Sequence, residues 1–274
     1  MDQETSCQLP RCIYCGKTNV NLSDEHVIPM GLLPKAHPGL VLDNASCRDC
    51  CNITSDFERA ILRKLWLPAR AGLGLRSYRK RKIPREYPLT IVKNGQAEEV
   101  LLPLNEFPAT LQLLEYQPPV HLTKNPSYSS GINVNGNVLV QVAGPKLIDV
   151  LKKHGSLTAR ISATFEGNAY ERLILKVAYG FAISRIGLSS IEQAWVVPTI
   201  LGQVDNVGMW MGCDGEQHLT SSYFHGMRLA IVGNEIHCRV RLFASFNTPE
   251  YLVIVGTAVN GTSLATAQKE EKHQ

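Results

Sequence analysis

Four cysteines near the beginning of the sequence have the spacing of metal ligands. They form two Cys-x-x-Cys pairs, Cys12 with Cys15 and Cys47 with Cys50. Each pair can make a tight turn that supplies two thiolates, so the four together suit one tetrahedral zinc ion in a structural role. Structural zinc is worth on the order of 10–16 kcal/mol in small modules. We therefore expect Zn²⁺ to stabilise this part of the chain.

Side chains suited to acid–base and metal chemistry lie between and after these pairs. Glu25 and His26 are adjacent, within a segment from Leu22 to Ile28 that is predicted to be a short strand. Glu58 lies in a helix predicted from about Thr54 to Trp66, where apolar residues recur at helical spacing. With a second short apolar stretch before Cys47, the order strand, loop, strand, helix predicts a compact ββα unit held by zinc.

Positive charge is concentrated directly after this unit. The segment from Arg59 to Arg85 holds ten of the 28 Lys and Arg residues and none of the 24 Asp and Glu residues. The net charge of the chain is only +4, so the remaining sequence is mildly acidic. A basic segment in such a chain favours a polyanion as its partner, although a solvated helix and linker would have the same composition.

The composition is that of a globular protein of ordinary character. Among the 274 residues, 44% are hydrophobic and 19% are charged, and no apolar run is long enough to predict a membrane span. The first residues are acidic and lack the apolar core of a secretory signal, so we expect a cytoplasmic protein with no membrane partner. Thiols stay reduced in the cytoplasm, which favours metal binding over disulfides.

The rest of the chain is predicted to form a second, larger α+β domain with an antiparallel sheet. Asn94-Gly95 and Asn135-Gly136 are typical of tight hairpin turns between strands. Ala169 to Ile186 is the strongest predicted helix, and Ala194 to Leu201 is predicted to be a strand. The predicted division is residues 1–68 for the zinc module, 69–87 for a basic connector, 88–267 for the larger domain and 268–274 for a disordered tail.

Four short motifs of the zinc module resemble those of a known family. The texts CIYC, DEHVIP, ASCRDC and ITSDFE are similar to the motifs of HNH endonucleases of the zinc-knuckle type. The resemblance covers about residues 11–66 and implies a ββα-metal fold. It also implies an enzyme that hydrolyses phosphodiester bonds of DNA with one catalytic divalent ion, Mg²⁺ or Mn²⁺.

The resemblance implies roles for individual residues. His26 takes the place of the general base, for which an imidazole near neutral pH is well matched. Glu25 takes the place of the adjacent acidic metal ligand, and Asn44 lies near the family's central Asn, which orients the histidine. The third catalytic position is open between Glu58 and Asn52. Glu58 is favoured as the second ligand because a carboxylate suits a hard divalent ion.

Basic residues after the module are expected to contact DNA phosphates, which gives affinity without reading the base sequence. They are Arg59, Arg63, Lys64, Arg79, Lys80, Arg81 and Lys82. An alternative from another class is a non-catalytic zinc-stabilised protein that binds nucleic acid. A monomer and a homodimer both remain open, since one active site cuts one strand and a duplex break needs two sites or two visits.

Overall fold

The structure is a computed structural model that describes residues 11–77, 84–123, 134–160, 165–214, 221–262 and 271–273. It is an α+β fold in which the assigned strand pairs are antiparallel, with a cysteine cluster near the N-terminus. The predicted α+β class is thus confirmed at this level. None of the helices in the described ranges combines the length and apolar character needed to cross a bilayer.

The N-terminal part is a hairpin followed by a helix. Strand β1 (Leu22–His26) pairs antiparallel with β2 (Val41–Cys47), and helix α1 (Arg48–Ala60) follows β2 directly. A π-helical turn (Ile61–Leu65) continues α1 and leads into the short helix α2 (Leu67–Gly72). The predicted order of strand, loop, strand and helix is therefore present.

Helix α1 begins at Arg48, earlier than the predicted start at Thr54. Cys47 occupies the N-cap position, so the second cysteine pair lies on the first helical turn instead of before the helix. Thr54 does not cap the helix; its hydroxyl donates to the Cys51 carbonyl at 3.2 Å. The helical turn itself brings the two thiols of this pair to one side, because residues three apart are neighbours on a helix.

The remaining elements form three further sheets and the helices that cover them. The strands are β3 (Glu86–Lys93), β4 (Gln96–Pro103), β5 (Ala109–Tyr116), β6 (Val134–Ala143), β7 (Thr158–Arg160), β8 (Ile191–Ala194), β9 (Met211–Gly212), β10 (His225–Val232), β11 (Glu235–Arg241), β12 (Tyr251–Ala258) and β13 (Glu271–His273). The helices are α3 (Val120–Thr123), α4 (Leu147–Lys153), α5 (Ala169–Ile186), α6 (Val197–Ile200) and α7 (Val207–Trp210). The largest sheet has the order β13-β10-β11-β12-β8, with β9 on β12; the others are β4-β3-β7 and β5-β6.

One predicted hairpin is confirmed and the other is wrong. Asn94 and Gly95 adopt φ angles of 51° and 80°, and β3 and β4 pair on either side of them. Asn135-Gly136, in contrast, lies inside the single strand β6, which pairs along its length with β5, a strand that was not predicted. The ladder is irregular there, and Asn135 donates its side-chain amide to the Tyr116 carbonyl.

Two further expectations are corrected. The segment predicted as a strand from Ala194 to Leu201 contains the helical turn α6, where Pro198 in the first turn needs no N–H partner. The tail predicted as disordered over 268–274 contains β13, which pairs with the first residues of β10. Residues 268–270 and 274 lie outside the described ranges.

The main core joins the zinc module to the largest sheet. Buried residues of the first 66 positions, such as Cys12 and Trp66, belong to one cluster with α5 and with Val253 of β12. A second cluster lies between the β3–β4 hairpin and α4. The first residues of the predicted connector also pack inside the fold, since Ala69 of α2 is fully buried. The two hydrophobic clusters therefore do not follow the predicted domain boundaries, because the main cluster includes residues of the zinc module, the connector and the larger domain.

Helix α5 is the central element of this main core, and its bounds match the prediction. Every residue from Ala169 to Ile183 is buried except Arg172, which is partly exposed. A helix that is buried on all sides must pack against neighbours all round. Here the neighbours are α1 on one side and the strands β10, β11 and β12 on another.

Candidate functional site

The four predicted zinc ligands lie together. The Sγ atoms of Cys12, Cys15, Cys47 and Cys50 are all within 4.8 Å of one another. Cys15 and Cys47 are separated by 3.6 Å between sulfurs, close to the roughly 3.8 Å edge of a tetrahedron with Zn–S bonds of about 2.3 Å. This cluster could hold one zinc ion, as predicted, and the neighbouring Cys51 is outside it.

Local backbone geometry makes the cluster. In the first pair, the Gly16 amide donates to the Cys12 carbonyl at 2.9 Å, and Gly16 has a φ of 70°, which glycine adopts without strain. The Cys47 amide donates to the Cys12 sulfur at 3.4 Å and ties the two pairs together. Burial favours the neutral Cys12 thiol, but hydrogen bonds from backbone amides outweigh it and lower the Cys12 pKa.

Glu25 and His26, at the end of β1, have different surroundings. Successive side chains of a strand point to opposite faces. The Glu25 side chain is buried, whereas His26 is half-buried. The ladder is irregular between Ser23 and Glu25. Opposite this irregularity Asn44 has a φ of 48° and donates its backbone amide to the Asp24 carboxylate at 3.0 Å.

Helix α1 brings Glu58 to the same place. One side of the helix and of the π-helical turn that continues it lines a cavity, and we call these residues the cavity stripe of α1: Cys51, Thr54, Ser55, Glu58 and Leu62. Their spacing of three and four residues is that of one helical face. Asn52, the other candidate for the third position, is exposed and does not line this cavity. Asn44 is likewise exposed and outside it.

A residue that sequence reasoning missed joins the two carboxylates. The Nζ atom of Lys176, on α5, lies 2.7 Å from Oε1 of Glu25 and 2.8 Å from Oε1 of Glu58. It also donates to the His26 carbonyl. The Lys176 side chain is only 2% exposed. Burial opposes the charged form, but the two carboxylates outweigh it and raise the Lys176 pKa, so the ammonium stays charged.

The sequence feature that could have identified Lys176 as a site residue is its position in an apolar helix. It is the single charged residue in the apolar run LILKVAYGF. A lysine is almost never fully buried unless it is paired, so this pattern predicts a buried partner of opposite charge. The pattern does not say which carboxylates those partners are, since they lie more than a hundred positions away.

The His26 ring is held as a neutral base. Burial, and next the charge of Lys176, lower the His26 pKa, and the carboxylates of Glu25 and Glu58 only partly oppose this shift. Its Nδ1 atom is buried without a hydrogen-bond partner among the described residues. Nε2 is therefore the ring nitrogen left for the cavity.

These groups share one open cavity of about 680 Å³. Besides Glu25, His26, Glu58 and Lys176, its lining includes Asp24 and four arginines, Arg59, Arg63, Arg70 and Arg76. A cavity with a carboxylate floor and several guanidinium groups around it suits a ligand that is itself anionic and binds with a cation.

The arginines of the cavity have unequal roles. Arg70 donates to the carbonyls of Gly31, Leu62 and Arg76 at 2.6–2.7 Å, so its guanidinium stabilises the backbone. Arg59 pairs with Asp56. Arg63 makes no side-chain hydrogen bond or ion pair with any described residue, which leaves its guanidinium available to a ligand.

The other basic residues predicted to contact DNA are placed differently. Lys64 pairs with the Glu166 carboxylate and does not line the cavity. Arg79, Lys80, Arg81 and Lys82 lie outside the described residues. The structure thus brings Arg59 and Arg63 to the predicted site.

Comparison with known proteins adds no relative. No protein-family model matches the chain, and no curated protein or solved structure shows a significant similarity to it.

Proposed function

We propose that the protein is an HNH-type endonuclease that hydrolyses phosphodiester bonds of DNA. The observation that carries this proposal is the convergence of Glu25, His26 and Glu58 on one arginine-lined cavity beside the four-cysteine cluster. The two acids come from different elements more than thirty positions apart, so the motif alone did not guarantee their meeting. In this proposal the cysteines hold a structural zinc ion and take no part in the chemistry.

His26 acts as the general base. A lowered pKa keeps the ring neutral at physiological pH, and Nε2 accepts a proton from the attacking water while Nδ1 carries the ring's own proton. A positioned general base contributes about 10²–10⁴-fold to a rate. Arg63, which has no partner among the described residues, contacts the scissile or a neighbouring phosphate.

Glu25 and Glu58 are the residues that would hold the catalytic Mg²⁺ or Mn²⁺. Their chemistry fits, because carboxylate oxygens are the preferred ligands of hard divalent cations. The space between them also accepts a cation, since the Lys176 ammonium lies there. When bound, such an ion supplies Lewis-acid stabilisation of the phosphate and of the leaving oxygen.

The alternative is a zinc-stabilised protein that binds nucleic acid without cutting it. The position of Lys176 favours this alternative, because an ammonium between the two carboxylates already neutralises part of their charge. Both functions use Arg63 and the cavity, and they differ only in whether His26 performs a proton transfer.

Cleavage of supercoiled plasmid by the purified, zinc-loaded chain separates the two functions. With Mg²⁺ or Mn²⁺ we expect nicking that EDTA stops. His26→Ala should lower the nicking rate by about 10²–10⁴-fold, since the base is lost, while DNA binding in a gel-shift assay stays close to that of the wild type.

The matched control is His37→Ala, which removes a loop histidine outside the cavity and should nick like the wild type. DNA binding without any cleavage that depends on His26 would overturn the nuclease proposal and support the binding protein.

A further inference from the structure

The Lys176 ammonium is fully engaged where it lies. A lysine ammonium has three N–H donors. Three acceptors surround it: Oε1 of Glu25 at 2.7 Å, Oε1 of Glu58 at 2.8 Å and the backbone carbonyl of His26. The Nζ atom therefore sits in a cage of oxygen atoms, with no donor left over.

The same oxygen cage is what a small divalent cation requires. Carboxylate and backbone carbonyl oxygens are hard ligands. An ion that binds the two Oε1 atoms would lie directly beside the ammonium, with no group between the two positive charges. Two cations cannot share these oxygen atoms at low energy inside a buried site. Lysine and metal ion must then exclude one another.

We propose that Lys176 is a built-in counterion that competes with the divalent ion for the carboxylates of Glu25 and Glu58. The choice of ion rests on the proposed nuclease function, but the competition itself is a matter of binding. Ion binding displaces the ammonium from both Oε1 atoms, so Lys176 lowers the affinity for the ion and holds the two acids together when no ion is bound.

The placement of Lys176 on α5 gives this competition a structural consequence. The same face of α5 holds the zinc module at other points: Tyr179 donates to the Ile13 carbonyl at 2.6 Å, and the Arg172 guanidinium lies over the Phe57 ring. These contacts fix the helix, so the ammonium moves by rotation of its own side chain. The fixed position of α5 therefore limits how far the Lys176 ammonium can move from the Oε1 atoms of Glu25 and Glu58.

Binding of Mn²⁺ to the zinc-loaded full-length chain tests the competition without any DNA. Free Mn²⁺ is measured by electron paramagnetic resonance during a titration. Lys176→Met keeps the length of the side chain and removes its charge, and we expect it to bind Mn²⁺ at least about tenfold more tightly than the wild type. Lys176→Arg keeps the charge and should stay as weak as the wild type.

Controls assign the gain to this site. In Lys176→Met combined with Glu25→Gln the tighter binding should disappear, because one ligand is lost. A folded Lys176→Met that binds Mn²⁺ no more tightly than the wild type would overturn the inference.

A second measurement needs no substitution, should Lys176→Met fail to fold. In the wild type, saturating Mg²⁺ should shift the NMR signal of the Lys176 side-chain carbon next to Nζ, and no shift at saturation, or no ion binding at all, would overturn the inference. If Lys176→Met binds Mn²⁺ more tightly but the wild type does not cleave DNA, the nuclease function is rejected and the competition between Lys176 and the ion still stands.

Discussion

At the scale of single residues, the adjacent residues Glu25 and His26 have different environments. Glu25 is buried against the Lys176 ammonium, while His26, the next residue, faces the open cavity. Glu25 forms an ion pair with Lys176, and partial burial is the first cause that lowers the His26 pKa. In the proposed nuclease, Glu25 would bind the cation and His26 would accept the proton.

An ordinary histidine has a pKa of about 6.5. The pKa of His26 should lie below that value. Because the unfolded chain binds this proton more readily, the contribution of His26 to stability is present above about pH 6.5 and is lost as the pH falls towards the folded-state pKa. Lys176→Met should raise the His26 pKa, since the Lys176 charge is the second cause of the shift.

An NMR titration of the His26 ring measures both values, with the signal assigned through His26→Asn. A wild-type pKa at or above 6.5 would contradict the environment described for this ring.

At the scale of elements, helix α1 determines which candidate for the third catalytic position of the proposed nuclease lies at the cavity. Its first turn carries Cys50 of the cysteine cluster, and its cavity stripe carries Glu58 two turns later. Asn52 and Glu58 are six residues apart, which places them about 120° apart around the helix axis. Of the two, Glu58 lines the cavity and Asn52 does not.

Glu58→Gln, which preserves shape but removes the charge, should lower plasmid nicking by about 10²–10³-fold, the size found for loss of one electrostatic group in an active site. Asn52→Ala should leave nicking within about twofold, because Asn52 is exposed and outside the cavity. Initial nicking rates at saturating metal ion measure both. The reverse pattern would return the third position to Asn52.

At the scale of the whole molecule, the zinc module is part of the main core. Cys12 and Phe57 belong to the same buried cluster as α5 and the largest sheet. Close approach of the backbones supports this packing: a Cβ atom added at Gly180 of α5 would lie 3.3 Å from Val27 Cγ2. Loss of zinc should therefore affect the stability of the whole fold.

Cys12→Ser should abolish stoichiometric zinc binding and lower the thermal unfolding temperature of the entire chain in a single transition, since structural zinc contributes on the order of 10 kcal/mol. Cys51→Ser is the matched control, because Cys51 lies outside the cluster, and it should keep one zinc per chain. A colorimetric zinc assay and circular dichroism measure the two effects.

Stoichiometric zinc in Cys12→Ser would contradict the assignment of the four ligands. Separate unfolding of the N-terminal part, with the rest unchanged, would contradict the shared core.

Local patterns predicted those features that depend on neighbours in the chain. The β3–β4 hairpin follows from the backbone freedom of Asn94-Gly95, and α5 follows from its helical pattern and the Gly187 that ends it, with a φ of 78°. Strand β5 and the continuous strand β6 were not predicted, because their pairing joins residues 18 to 34 positions apart. The preference of Asn135-Gly136 for a tight turn is overridden by the pairing of β6 with β5.

The candidate site divides in the same way. The four thiols and the Glu25-His26 pair are visible in the sequence because short spacing alone determines the geometry of each pair. Only the folded chain decided that Glu58 and not Asn52 reaches the cavity, and that Lys176 lies between the two acids. The physical reason is burial: an ammonium inside a core needs its counter-charges, and the helix packing that supplies them is formed only when residues 150 positions apart meet.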